Sequence, residues 1–136
     1  MTAKQYLSQL RTLDIKINQK QDELYRLRCA AERTTPAQDA LPCGGGGSDR
    51  VGNISARMSD LDAEINREID RLADLRREIT ARINALDDAQ EAELLRLHYV
   101  ELESWKRMSA QMHIGLSRLH RIHRRALKHL EYIYYI

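Results

Sequence analysis

Phenylalanine is absent from these 136 residues, and aromatic residues of every kind make up only 5%. A large compact core therefore has little to be built from. Proline is nearly absent too: Pro36 and Pro42 sit in one short stretch, so long helices are unobstructed on either side. The two cysteines, Cys29 and Cys43, have neither metal-ligand nor redox spacing, which points to reduced thiols in an intracellular chain. No run approaches the ~20 apolar residues of a membrane span, and the polar, amphipathic opening Met1–Leu10 is unlike a signal peptide. A soluble, cytoplasmic protein is expected. What is present in quantity is charge, 31% of residues, in a composition typical of long solvent-washed helices.

The net charge of +2 hides an asymmetry. Residues 1–91 hold 14 Lys/Arg against 16 Asp/Glu, whereas residues 92–136 hold 8 against 4. Between Ser104 and Leu130 there are seven basic residues and no acidic one, and all five histidines lie beyond residue 97. Such segregation points to a polyanionic partner for the C-terminal part.

The hydropathy pattern predicts an all-α chain. Ala3, Tyr6, Leu10, Leu13, Ile17, Leu24, Leu27 and Ala31 recur at threes and fours, broken only by Lys20, and predict a helix over Thr2–Arg33 with a narrow coiled-coil seam. Thr34–Asn53, with both prolines, Gly44–Gly47 and Gly52, reads as a flexible linker, since four consecutive glycines disfavour a helix. It lacks the Gly-Lys-Ser/Thr and preceding strand of a phosphate-binding loop. A second long helix follows over Ile54–Leu86, its seam running Ile54, Met58, Leu61, Ile65, Leu72, Leu75, Ile79 and Leu86, with Glu68 and Arg82 as polar breaks and Ile69 and Ile83 widening it. The economical arrangement is an antiparallel helical hairpin over 1–86, with a second copy covering the apolar surface left over, hence a homodimer.

From residue 87 to 136 the elements shorten. Asp88 caps a helix over Ala89–Val100, with Glu91 three residues on in a loose capping box. Ser104 caps Trp105–Met112, a turn occupies His113–Gly115, and a third helix covers Leu116–Tyr132. Leu119, Ile122, Ala126 and Leu130 define the buried face of that last helix, and its other face is basic. A bracing helix, a turn and a basic second helix are what a helix-turn-helix needs to dock in the major groove of double-stranded DNA. Ser117, Arg118 and Arg121 are the candidates for base edges, Lys106, Arg107, Arg124, Arg125 and Lys128 for phosphates, and His120 for either.

The segment ELLRLHYVELESWKRMSAQMHIGLSRLHRIHRRALKHL resembles, without gaps over about 38 residues, the −35-reading helix-turn-helix region of bacterial sigma factors. Leu95, Leu97 and Tyr99 match its first helix, Ser104-Trp105 its second helix start, Met108, Met112 and Ile114 the core around the turn, and Leu119, Arg125-Ala126 and Leu130 the recognition helix. Four positions depart: Leu102 and His113 stand at glycine positions, Ser109 at an alanine, and Gly115 at a serine cap. By general pattern the whole chain is similar to small phage proteins of the ArpU/RinA-like transcriptional-regulator group. The resemblance implies a phage or prophage transcription regulator in a bacterial cytoplasm, recognising promoter or operator DNA alongside host RNA polymerase.

Two other readings stay open: a DNA-packaging recognition protein in the manner of phage small terminase subunits, and a coiled-coil adaptor that binds polymerase or another protein without DNA. No nucleophile–base pair or paired carboxylates suggest catalysis, and no cofactor is expected. His120 and His123 are three apart but lack acidic or cysteine partners, so no metal site is expected and the histidines are read as surface or DNA-facing. Trp105 is expected in the core, and the apolar ending Tyr132–Ile136 is expected to pack.

Overall fold

The computed structural model describes residues 1–40 and 46–134, with side chains described for 1–33 and 50–134. The chain is all-α: among the described residues it forms α1 (Ala3–Ala40), α2 (Gly46–Asn84), α3 (Ala89–Leu95) running into a π-helical turn at Arg96–Val100, α4 (Trp105–Met112) and α5 (Leu116–Tyr134). No helix among them is long and apolar enough to cross a membrane.

Both long helices overrun the expected linker. α1 continues through Thr34 and Pro36 to Ala40, and α2 already includes Gly46, Gly47 and Gly52. The remainder of the expected linker, 41–45, lies outside the described residues.

The chain divides into two compact units, and the division departs from a boundary at residue 87. One unit is 14–71. The other joins 1–13 to 72–136. The reason is burial. Ala3, Tyr6, Leu7 and Leu10 of α1 and Ile79, Ile83 and Leu86 of α2 share one apolar cluster with Leu94, Leu95, Leu97, Tyr99, Met108, Ile114, Leu119, Ile122, Ala126 and Leu130. Three short helices alone expose too much apolar surface, and the ends of the long helices cover it.

In the unit 14–71 α1 and α2 run antiparallel. Leu24 packs on Leu61 and Ile65, flanked by Leu27 and Met58. The polar breaks of the two seams meet: Lys20 Nζ donates to Glu68 Oε1 at 2.8 Å and lies 3.5 Å from Glu64. The hydrogen bond to Glu68 holds the Lys20 ammonium above its ordinary range. Arg57 bridges to Glu23 at 3.1 Å. Burying a leucine contributes about 1.5–3 kcal/mol and an exposed ion pair under ~1, so the narrow apolar seam carries most of the stability of this unit.

In the other unit α5 is pinned at its C-terminal end. Glu131 accepts a hydrogen bond from the Ala3 backbone N–H at 3.0 Å. The Arg82 guanidinium lies over the rings of both Tyr6 and Tyr134, 4.8 and 5.1 Å from their centroids. Burial and the hydrogen bond to Glu78 push the Tyr6 phenol up to about 12. Of the apolar ending expected to pack, Tyr134 is half-buried, Ile133 is exposed and Tyr132 is 83% exposed, while Tyr135 and Ile136 lie outside the described residues.

Candidate nucleic-acid interface

The three short helices are set by local chemistry close to the residues that the sequence nominates. Asp88 accepts hydrogen bonds from the backbone N–H groups of Gln90 and Glu91, which starts α3. Glu91 does not reciprocate as a capping box would. Its side chain is 1% exposed, and its two oxygens bind Arg125 Nε at 2.6 Å and His129 Nδ1 at 2.8 Å, both on α5. Two helices of the unit are thereby tied through one buried carboxylate.

The π-helical turn widens the spacing so that Leu97, Tyr99 and Val100 all face inward. Leu102 then takes a left-handed backbone, φ 55°, and turns the chain toward α4. Ser104 caps α4 by accepting from the Arg107 N–H at 3.2 Å. α4 ends at His113, again left-handed at φ 57°. Ser109 braces the turn twice. Its carbonyl accepts from the N–H groups of His113 and Ile114, and its hydroxyl donates to the Ile114 carbonyl. α5 follows, with Leu119, Ile122, Ala126 and Leu130 all buried, as its periodicity predicts.

An aromatic cluster locks α4 and the π turn onto α5. Trp105, half-buried, lies 4.6 Å from the ring of His98, 4.2 Å from that of His120 and 5.1 Å from that of His123. Tyr99 Oη and His123 Nε2 are hydrogen-bonded at 2.7 Å. Burial, reinforced by the positive groups of His98, Lys4, His120 and Arg124, lowers the His123 imidazole to about 4, and burial raises the Tyr99 phenol to about 12. Burial also lowers His98. His123 is thus a neutral core residue and not a surface or DNA-facing one, a correction that follows from its position one residue after Ile122 on the inward arc of α5.

Among the nominated contact residues, Ser117, Arg118, His120, Arg121, Arg124 and Lys128 are all exposed on α5, and Lys106 and Arg107 are exposed on α4. Arg118, Arg121, Arg124, Lys128 and Lys106 have no carboxylate partner among the described residues. Arg107 faces Glu103 at 3.4 Å with its side chain 70% exposed. His120 packs against Trp105 with the two rings tilted by 37°. Arg125 differs from the rest. It is bound to Glu91 and, at 3.4 Å, to Asp88, so its charge is largely balanced within the fold. Arg118, Arg121 and Arg125 line a common hollow of about 290 Å³ with Gln90 and Ile122. Gln90 was not legible as part of this surface, nor Glu91 as its buried anchor for Arg125, because their spacing reads simply as the first turn of a capped helix. No group of three or more His, Cys, Asp or Glu residues able to hold a metal occurs among the described residues.

No protein-family model matches the chain, and no characterised protein and no solved structure matches it.

Proposed function

We propose that the chain is a sequence-specific double-stranded DNA-binding transcription regulator of phage or prophage origin, acting in a bacterial cytoplasm without catalysis or cofactor. The observation that carries this reading is the two-sided α5: one face fully buried, the other presenting four basic side chains with no carboxylate partner, on a helix braced by α4 across a short turn. Unbalanced guanidinium and ammonium groups on a rigid helix suit a polyphosphate surface. α5 is the helix for the major groove, with Ser117, Arg118 and Arg121 on its first two turns, and Lys106, Arg107, Arg124 and Lys128 flank it for the backbone.

The sigma-like resemblance draws support from the backbone. Leu102 and His113, the two non-glycine residues with positive φ among those described, occupy the two glycine positions of that pattern. On this reading promoter or operator DNA is the target, and host RNA polymerase is a second partner. Self-association through the long helices fits the exposed Ile15, Tyr25 and Ile69 of the unit 14–71.

Selection of duplexes from a random library by the full chain tests the reading, with affinity then measured against salt. Enrichment of a defined site is expected, together with a marked loss of affinity in an Arg121→Ala/Arg124→Ala variant. No enrichment and no salt-dependent binding would leave the protein-adaptor reading in its place. Sedimentation tests the assembly: a dimer fits regulation, and a large ring would favour the DNA-packaging reading.

A further inference from the structure

We propose that the hollow between the start of α3 and the outer face of α5 is a phosphate-oxyanion pocket, in which Arg118 and Arg121 clamp one phosphate and Arg125 with Gln90 completes the wall. The inference rests on the DNA-binding reading for the source of that phosphate, the duplex backbone.

Arg118, Arg121 and Arg125 stand at i, i+3 and i+7, so they share one face of α5. They converge on a hollow of about 290 Å³, floored by Ile122 and closed on the α3 side by Gln90. With Arg125 balanced by Glu91 and Asp88, the unbalanced charge at the hollow is that of Arg118 and Arg121, and an anion seated between them would be attracted by both. Arg118 and Arg121 have no carboxylate partner among the described residues. The planar fork of arginine matches the paired oxygens of a phosphate, and the amide of Gln90 adds a neutral donor.

Arg125 plays a different part. Its Nε and one terminal nitrogen are bound to Glu91 and Asp88. Those bonds fix the guanidinium in place and set it between the two carboxylates and the hollow. Arg125 therefore gives the pocket a rigid wall with a free N–H edge, while the charge that attracts the anion comes from Arg118 and Arg121. This assigns Arg118 and Arg121 to the DNA backbone and leaves Ser117 as the base-edge candidate of the first turn.

Two measurements on the full chain test it. The first follows the arginine Nε–Hε signals by NMR during titration with inorganic phosphate, against sodium chloride at matched ionic strength. The expected result is saturable shifts at Arg118 and Arg121 that Arg124, outside the pocket, does not share. Shifts that are equal at all three, or that never saturate, overturn the pocket. The second measures random-duplex affinity against salt for Arg118→Ala and Arg121→Ala. Each is expected to weaken binding about tenfold and to make the log–log salt slope shallower by roughly 0.9, the value for one lost phosphate contact. Unchanged slopes with duplex binding intact overturn the pocket while the DNA reading stands. Saturable phosphate binding without any duplex binding keeps the pocket, overturns the DNA reading, and makes a free phosphorylated molecule the source.

Discussion

Tyr99 and His123 share a buried hydrogen bond of 2.7 Å that joins the π-helical turn to α5. It holds a neutral imidazole whose protonation is disfavoured first by burial and then by His98, Lys4, His120 and Arg124. The unfolded chain takes up this proton near pH 6.5 and the folded one only near 4, so the unfolded state binds more protons across that window. Stability from His123 is complete above about pH 6.5 and is lost as pH falls toward 4, by about 3 kcal/mol in all. Urea unfolding at pH 7.5, 5.5 and 4.5, compared with a His123→Leu variant, isolates this contribution from that of the carboxylates. A wild-type profile parallel to that of the variant would refute it.

The buried Glu91 makes a second prediction. Arg125→Ala leaves its carboxylate inside the fold with His129 Nδ1 as its remaining side-chain partner of the two. Removing one partner of a buried ion pair typically costs 3–5 kcal/mol, and the half-exposed position of Arg125 places this case nearer about 2–3 kcal/mol. The expected readout is a lower urea midpoint with an unchanged m-value. A midpoint shift no larger than that of Arg124→Ala, which breaks no ion pair, would show that Glu91 does not depend on Arg125.

The turn between α4 and α5 holds strain that glycine would remove. His113 adopts φ 57°, a conformation that disfavours any residue with a Cβ, and its side chain is exposed. His113→Gly is expected to raise stability by about 0.5–1 kcal/mol, the relieved left-handed penalty less the added entropy of the unfolded chain. Gly115→Ser adds a cap hydroxyl where a Cβ would meet nothing within 4 Å, for a gain of a few tenths of a kcal/mol. Ser109→Ala, which strips the turn of its hydroxyl bond to Ile114, is expected to cost about 1 kcal/mol. Thermal unfolding of the three variants tests the set, and destabilisation by His113→Gly would contradict the strain argument.

The short helices were legible because their signals are local. Asp88 and Ser104 are strong caps, and the spacing Leu119, Ile122, Ala126, Leu130 leaves one way to orient α5. The unit boundary was not legible. Burial of Ala3, Tyr6 and Leu10 against residues more than seventy positions away depends on tertiary packing, and a heptad seam looks the same whatever covers its end. The contact surface was half legible. Charge counting nominates every arginine of α5 as a DNA contact, yet it cannot tell Arg125, tied to a buried carboxylate, from Arg118 and Arg121, which have no carboxylate partner among the described residues. The same blindness placed His123 on the surface, since a histidine's polarity argues for exposure and only its neighbours argue for burial.

The seam of the unit 14–71 offers the last test. Lys20 and Glu68 interrupt two otherwise apolar stripes and face each other, and the second oxygen of Glu68 is buried with no hydrogen-bond partner. An ion pair of this kind is dispensable as a pair and costly to halve. Lys20→Leu alone strands the Glu68 carboxylate beside Glu64 and is expected to lower Tm. Lys20→Leu with Glu68→Leu closes the seam with apolar side chains beside Leu24, Leu61 and Ile65, and is expected to raise Tm by roughly 2–4 °C. If the pair also enforces register or limits association, the double variant gains stability while its sedimentation profile shifts to larger species. A double variant less stable than the wild type would show that the pair contributes more than apolar packing at these two positions.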